Sequence, residues 1–188
     1  MARTKQFDPD AALDAAVSVF REHGYAGTSA EMLSAAMQIG KQSIYDTFGS
    51  KWPLYCAAVE RYSSAETAAH VAELKAGATA LAGIERMMKR VVTEARLPCL
   101  GVNATCEFGT DSEELVQIRG SVGKALRLAL AAKIREAQAA GDLAAGLEAR
   151  VGASFLLANV AAIRLAARGG ADDAELRALA RLSLQGLK

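Results

Sequence analysis

The sequence has few of the residues that mark sheets, metal centres and exported proteins. Only 5% of its 188 residues are aromatic, three are proline and three are cysteine. Alanine accounts for 41 positions and runs of β-branched residues are rare, so the composition predicts helix throughout. Because 52% of the residues are hydrophobic, a packed core is expected and wholesale disorder is excluded.

The sequence also lacks signals for export, membrane insertion and metal binding. No run of eighteen uncharged apolar residues is present, and residues 1–10 have no apolar segment of the signal-peptide kind, so we expect a cytoplasmic protein. Cys56, Cys99 and Cys106 have no paired metal-type spacing and are interpreted as reduced thiols; no metal site and no cofactor are expected. The net charge is only +1, so a nucleic-acid partner would have to bind a local face.

Caps and breaks predict an all-α fold of about nine helices. Asp8-Pro9 begins the first helix, Gly24 ends it, and Thr28 with Glu31 is interpreted as the capping box of the second. Further predicted starts are Asp111 for the seventh helix and Asp172 with Glu175 for the ninth. The segments expected to be helical are 9–23, a short stretch after Thr28, 41–47, 51–75, 81–96, 102–108, 112–140, 147–168 and 172–186.

Aromatic residues divide the chain into two parts. Eight of the ten lie within the first 62 residues, whereas alanine and leucine dominate beyond that point. Large rings bury much area per residue, which a small unit needs, and small residues let long helices pack closely. The pattern therefore predicts two units joined inside the fourth helix, with no flexible linker.

Residues 28–48 predict two short helices separated by a tight turn, the arrangement of a helix-turn-helix. Spacing alone equally fits any compact three-helix bundle. Residues 24–29 (GYAGTS) and 39–51 (IGKQSIYDTFGSK), however, closely resemble the TetR/AcrR family of bacterial repressors over about residues 8–62. Residues 97–108 and 126–187 resemble the family more weakly. The resemblance implies a DNA-binding domain over residues 1–50 and a helical effector-binding and dimerisation domain over residues 51–188.

The first turn of the third helix carries the predicted base contacts. Gln42 can pair with adenine, and Lys41 can donate to guanine or phosphate. The resemblance implies that Tyr45 contacts a phosphate; the alternative is that its ring packs in the core. Thr28 and Lys51 stand at predicted helix N-termini, which favour phosphate. The candidate DNA contacts are Thr28, Lys41, Gln42, Ser43, Tyr45 and Lys51.

Some positions leave the DNA contacts open. Gly40 stands where the family usually has a serine or threonine cap, and Gln42 where a small residue is common, so the operator sequence is not predicted. Arg3 and Lys5 fit either a DNA-backbone arm or a disordered tail. Asp46 fits either a contact to a cytosine amino group or exposure to solvent.

Reading a pseudo-palindromic operator requires two recognition helices about 34–36 Å apart, and hence a homodimer. The predicted interface uses residues 147–168 and 172–186. Its members are small or apolar residues on one face of each helix: Val151, Phe155, Ala158, Ala162, Ala166, Leu176, Leu179 and Leu182. An ordinary intramolecular core is the alternative interpretation of the same stripes.

The resemblance further implies a small, mainly hydrophobic effector that enters the helical domain and releases the operator. Asn103 and Asn159 are the sharpest candidates, since a buried amide needs partners or a ligand. No charged cluster points to an anionic or metal effector. The predicted ligand-binding residues are Tyr62, Met87, Met88, Val91, Asn103, Cys106, Phe108, Phe155 and Asn159, with His70 as a further candidate.

The expected function is therefore a DNA-binding transcriptional regulator, with repression as the expected direction. An alternative is a repressor that senses electrophiles or oxidants through Cys99 or Cys106. An enzyme is not expected, because His23 and His70 have no acidic partner at motif spacing and Gly40-Lys41 lacks the rest of a phosphate loop. A purely structural helical adaptor is the remaining rival.

Overall fold

A computed structural model describes residues 7–188, and within them the chain is all-α, as predicted, with no strand. The described residues form nine helices: α1 Pro9–His23, α2 Ala30–Met37, α3 Lys41–Phe48, α4 Lys51–Ala76, α5 Ala80–Thr93, α6 Leu100–Phe108, α7 Glu113–Ala139, α8 Ala149–Arg168 and α9 Asp173–Gln185. The bounds of α1 match the prediction. Most others differ by one to three residues, as frayed ends allow.

The predicted helix starts are right at two places and wrong at two. Asp8 caps α1, and Asp172 with Glu175 forms a full capping box at α9. Thr28 does not cap α2: its hydroxyl donates to the Gly24 carbonyl at 2.6 Å, and Ser29 accepts from the Met32 N–H instead. At α7 the predicted cap Asp111 is also wrong, because the side chain of the next residue, Ser112, accepts from the Leu115 N–H.

The chain packs as two compact units. One contains the described residues up to Ser64 together with Pro98–Gly120, and the other contains Ala65–Leu97 and Ser121–Lys188. The packing boundary inside α4 agrees with the predicted join. It differs from the functional division into residues 1–50 and 51–188, because α6 and the start of α7 pack with α1–α3. That functional division stays a prediction.

A cluster of five aromatic rings forms the centre of the first unit. Tyr25, at the end of α1, lies 5.3 Å from Trp52 and 5.1 Å from Tyr55 between ring centroids. Phe108 of α6 completes the cluster, 5.6 Å from Tyr25, and Phe20 lies 5.0 Å from Tyr55. Edge-to-face pairs of this kind are each worth about 0.5–1.5 kcal/mol beyond the area they bury. The rings therefore bind α6 to the small N-terminal helices.

The second unit is built from the long alanine- and leucine-rich helices. Its core contains fully buried methionines and aliphatic residues from α4, α5, α7, α8 and α9. A Cβ at Gly83 would lie 2.3 Å from the Leu74 carbonyl oxygen, so only glycine permits the observed approach of α5 to α4. Small residues thus set the spacing of these helices, as the composition predicted.

By length and composition, α8 is the one helix in residues 7–188 that reaches what a membrane span requires. The sequence criterion of eighteen consecutive uncharged apolar residues did not identify α8. The helix packs against α5 and α9 and buries Arg164, whose guanidinium pairs with Glu66 at 2.7 Å. A buried, paired arginine and neighbouring helices are what a core helix of a globular domain has.

Candidate nucleic-acid interface

The α2–turn–α3 segment has its turn fixed by local hydrogen bonds. Gln38 ends α2 in the left-handed conformation, with φ of 56°, and the Ser34 hydroxyl donates to the Ile39 carbonyl at 2.7 Å. Leu33 and Ile44 are buried on the inner faces of α2 and α3. The two short helices are thus held at a fixed register, and the outer face of α3 is left free.

The first turn of α3 is exposed. Lys41, Gln42 and Ser43 all have exposed side chains, as predicted for residues that contact bases. Gln42 donates to Asp46 at 2.8 Å, which places the carboxylate beside the amide on the outer face. Neither predicted alternative for Asp46 included this partner. The Gln42 amide remains able to turn toward a base, since the pair is exposed.

The other predicted DNA contacts are placed less favourably. Tyr45 is half-buried, between its two predicted environments. Thr28 is buried, so a phosphate contact at this end would come from backbone N–H groups and Ser29. Lys51 lies with its ammonium 4.4 Å from the centre of the Tyr25 ring, a cation–π contact. Arg3 and Lys5 lie outside the described residues.

Lys41 is already engaged by a carboxylate. Its ammonium forms an ion pair with Glu31 of α2, and both side chains are at least half exposed. The Lys41 hydrogen bond, backbone N–H groups and Ser29 lower the pKa of Glu31 to about 2, so this carboxylate stays ionised at physiological pH. The predicted contact of Lys41 with DNA would therefore have to compete with Glu31.

We expect Glu31→Gln to tighten DNA binding, because it releases Lys41 and removes one negative charge from the interface. The affinity measured by fluorescence anisotropy should rise about two- to fivefold, as expected for the loss of one exposed ion pair, and the gain should shrink in high salt. Glu60→Gln, an exposed position on α4 with the same charge change, is the control. Equal affinities for the two variants would show that Lys41 does not contact DNA.

The turn between α1 and α2 is held by α6. The Glu107 carboxylate accepts from the Tyr25 N–H at 3.0 Å and from the Ala26 N–H at 2.7 Å, and Asn103 donates to the Arg21 carbonyl at 3.2 Å. These contacts place α6 against the start of the helix-turn-helix. Sequence reasoning missed Glu107, because its partners are about eighty residues earlier in the chain and are backbone groups.

An apolar surface runs along α8 and α9. Val151 and Leu182 are 59% and 62% exposed, Leu165 is 47% exposed and Phe155 is 41% exposed. Ala158 and Ala162, also predicted for the dimer, lie exposed on the same helix, and Ala166 and Leu179 are half-buried. Leu176 was a wrong choice, since it is buried in the core of its own chain. In a single chain, the exposed apolar side chains of this surface are therefore in contact with water.

The predicted ligand-binding residues do not lie together in one unit. Tyr62, Asn103, Cys106 and Phe108 belong to the first unit, whereas Met87, Met88 and Val91 are in the core of the second. Phe155 lies on the exposed face of α8, and Asn159 on the same helix donates to the Phe155 carbonyl at 2.8 Å. Asn103 and Asn159 both have protein partners, so neither amide needs a ligand to satisfy it. Their part in ligand binding stays a prediction.

The cysteines differ in exposure. Cys106 of α6 is exposed, and Cys99, the residue before α6, is half-buried. Burial, together with the nearby Glu114, raises the pKa of Cys56 to about 11, which makes this thiol a poor nucleophile. Thiol sensing through Cys99 or Cys106 stays a prediction, and Cys106 is the more exposed of these two thiols.

A charged cluster inside the second unit was missed by sequence reasoning. Glu66 of α4 pairs at 2.7 Å with both Arg90 of α5 and Arg164 of α8, and Arg90 also pairs with Glu94 at 2.8 Å. Arg90 donates to the buried His70 at 3.2 Å. Burial and the neighbouring Arg90 lower the pKa of His70 to about 4, so the ring is neutral at pH 7. The two arginines and two glutamates balance, so the cluster does not call for a charged ligand.

Comparison with known proteins agrees with this geometry. The sequence model of the family described as bacterial regulatory proteins, tetR family, matches residues 12–58. This range contains the helix-turn-helix and its flanking residues. The HTH-type transcriptional regulator YezE of Bacillus subtilis is 32% identical over 76% of this chain and 76% of its own length. The HTH-type transcriptional repressor ComR of Escherichia coli is 29% identical over 97% of this chain and 90% of its own.

Solved structures show the same fold. A TetR-family regulator from Agrobacterium tumefaciens has a TM-score of 0.83 at 24% identity, covering 95% of this chain and 96% of its own. The TetR family regulator CifR, a cysteine mutant bound to a 26-bp double-strand operator, has a TM-score of 0.79 at 26% identity over 100% of both chains. This chain, with its helix-turn-helix and the exposed first turn of α3, is a member of the TetR family of transcriptional regulators.

Proposed function

We propose that the protein represses transcription by binding a pseudo-palindromic operator as a homodimer, with α3 of each protomer in the major groove. The single observation that carries the proposal is the exposed first turn of α3, where Lys41, Gln42 and Ser43 project from a helix whose other face is buried. An element of this size with exposed polar side chains fits the major groove. The operator complex of CifR supports the DNA partner.

Dimerisation is supported by the apolar surface of α8 and α9. Val151, Phe155, Leu165 and Leu182 expose large apolar side chains on these two helices, and monomeric proteins seldom expose such patches without a partner. Two antiparallel helices from each of two protomers form a closed four-helix interface under two-fold symmetry. The same symmetry presents two copies of α3 to the two half-sites.

Repression and effector release are the finer parts of the proposal. ComR, similar over nearly the whole chain, is named a repressor, which supports the direction of regulation. The effector is proposed to be small and mainly hydrophobic, in keeping with the apolar core of the second unit around Met87, Met88 and Val91. Thiol sensing through Cys106 or Cys99 stays a prediction, supported only by the exposure of Cys106.

The DNA contacts are tested with an operator duplex obtained by selection from random DNA. We expect Gln42→Ala to bind it about tenfold or more weakly and to lose preference for it over a scrambled duplex, since a bidentate base contact is worth about 1–3 kcal/mol. Tyr45→Phe, which removes a phosphate contact, should weaken both duplexes alike.

Gln117→Ala, an exposed glutamine on α7, is the matched control and should bind as the wild type does. If Gln42→Ala kept wild-type affinity and selectivity, α3 would not be the reading helix. Repression itself is measured by transcription in vitro from a promoter that overlaps the duplex; transcription unchanged by the wild-type protein would contradict it.

A further inference from the structure

A cleft of about 600 Å³ opens between α5 and α9 in the second unit. It is of the size of small-molecule sites, and none of the predicted ligand-binding residues except Met88 lines it. The side chains that line the cleft recur every three or four residues along each helix. One face of α5 therefore faces one face of α9. The cleft is thus a continuous groove along the two helices.

The floor of the cleft is apolar and its walls are cationic. Side chains of both kinds are contributed by both helices: Met88, Lys89 and Val92 by α5, and Arg177, Arg181 and Leu184 by α9. Met88 is fully buried and Val92 and Leu184 are half-buried, which makes the floor, whereas Lys89, Arg177 and Arg181 are exposed around it.

Four cationic and two acidic side chains line the cleft, so the protein balances the positive charge of these walls only in part. Arg96 and Asp173 pair at 2.9 Å at one end of the cleft, and the positive charge of Arg177 also acts on the Asp173 carboxylate. Within residues 7–188, Lys89, Arg177 and Arg181 form no ion pair within 4 Å, and Glu85 is the only other carboxylate in the lining. A surplus of positive charge therefore borders an apolar floor.

We propose that this cleft binds a free amphipathic anion, a carboxylate with an unbranched apolar tail. The tail would cover Met88, Val92 and Leu184, and the carboxylate would accept hydrogen bonds from Lys89 and Arg181, with Arg177 contributing charge. Charge-assisted hydrogen bonds of this kind are roughly twice as strong as those between neutral groups. The proposal concerns the second unit alone and does not depend on operator binding.

The test is calorimetric titration of the full-length protein with decanoate, without DNA. We expect one saturable site per protomer, with acetate and 1-decanol each binding about tenfold or more weakly because each lacks half of the recognised chemistry. Lys89→Gln/Arg181→Gln should weaken decanoate about tenfold or more. Lys124→Gln/Arg127→Gln, on α7, makes the same charge change outside the cleft and should leave binding unchanged.

The site is located with methionines labelled at the methyl carbon. Decanoate should shift the Met88 resonance in the wild type but not in Lys89→Gln/Arg181→Gln, whose melting temperature should equal that of the wild type. Absence of binding at millimolar decanoate, binding unaffected by the double variant, or a response to anionic phosphatidylglycerol vesicles alone would each overturn the proposal. The last result would indicate a membrane surface instead of a free ligand.

Discussion

Replacing Phe155 and Leu182 together with glutamate should turn the protein into a monomer that no longer binds its operator. Both side chains are large, apolar and exposed in the single chain, at 41% and 62%. Burial against a second protomer would stabilise them, and four charges brought together there would prevent association. The molar mass measured by light scattering should fall from about twice the chain mass of 19.7 kDa to about that mass.

Operator affinity should fall by about a hundredfold or more in the same variant, because each half-site is then bound alone and the second contact is no longer intramolecular. The helical content should stay the same, since both positions are exposed in the isolated chain. Leu128→Glu, a leucine of α7 that is 51% exposed, is the matched control and should remain dimeric. A wild-type protein that scattered as a monomer, or a double variant that stayed dimeric, would contradict the α8–α9 interface.

The second large effect is expected from Glu66→Gln. The Glu66 carboxylate is the shared partner of Arg90 and Arg164, whose side chains are 16% and 3% exposed. Removing it leaves two largely buried guanidinium groups without their shared counter-charge, which costs about 3–5 kcal/mol in unfolding free energy. Urea denaturation measures the loss, and the slope with urea should not change.

The matched control for Glu66→Gln is Glu73→Gln. Glu73 also lies on α4 and pairs with an α5 arginine, Arg86, at 2.9 Å, but the Arg86 side chain is 51% exposed. Its loss should cost at most about 1 kcal/mol. Equal costs for the two variants would show that the buried cluster contributes no more than a surface pair.

The same cluster predicts an acid-dependent loss of stability. Burial raises the pKa of Glu66, but the hydrogen bond from Arg90 and the charges of Arg164 and Arg90 outweigh it, so the pKa of the folded state lies below the ordinary 4.5. A carboxyl of this kind stabilises the fold above its unfolded pKa and loses that contribution as pH falls below 4.5 toward the folded value. Glu66→Gln should therefore lose less stability than the wild type in that range.

Much of the fold follows from local rules that are written in the sequence. Asp8-Pro9, Gly24 and the Asp172–Glu175 box determine helix ends through bonds within four residues, so they could be predicted. The predicted cap of α2, Thr28, was wrong by one residue because two hydroxyl residues, Thr28 and Ser29, are adjacent at the start of this helix. The choice of Ser29 depends on a tertiary turn, in which Thr28 is buried and donates back to Gly24.

The candidate sites could be predicted only where they are local. The exposed first turn of α3 follows from helix periodicity and the buried Ile44, whereas its ion pair with Glu31 depends on how α2 and α3 cross. Glu66, Arg90 and Arg164 are separated by 24 and 74 residues along the chain, and no pattern joins them. The α5–α9 cleft likewise depends on how two helices pack, which no local sequence pattern predicts.

Selection of bound duplexes from random double-stranded DNA measures whether a dimer of this protein reads an operator through α3. We expect enrichment of a pseudo-palindrome whose half-sites lie about 10–10.5 base pairs apart, or a multiple of that spacing. We further expect Gln42→Ala to select a motif altered at symmetric positions. Enrichment of no motif, of one unrepeated half-site, or of the same motif by the wild type and Gln42→Ala would contradict it.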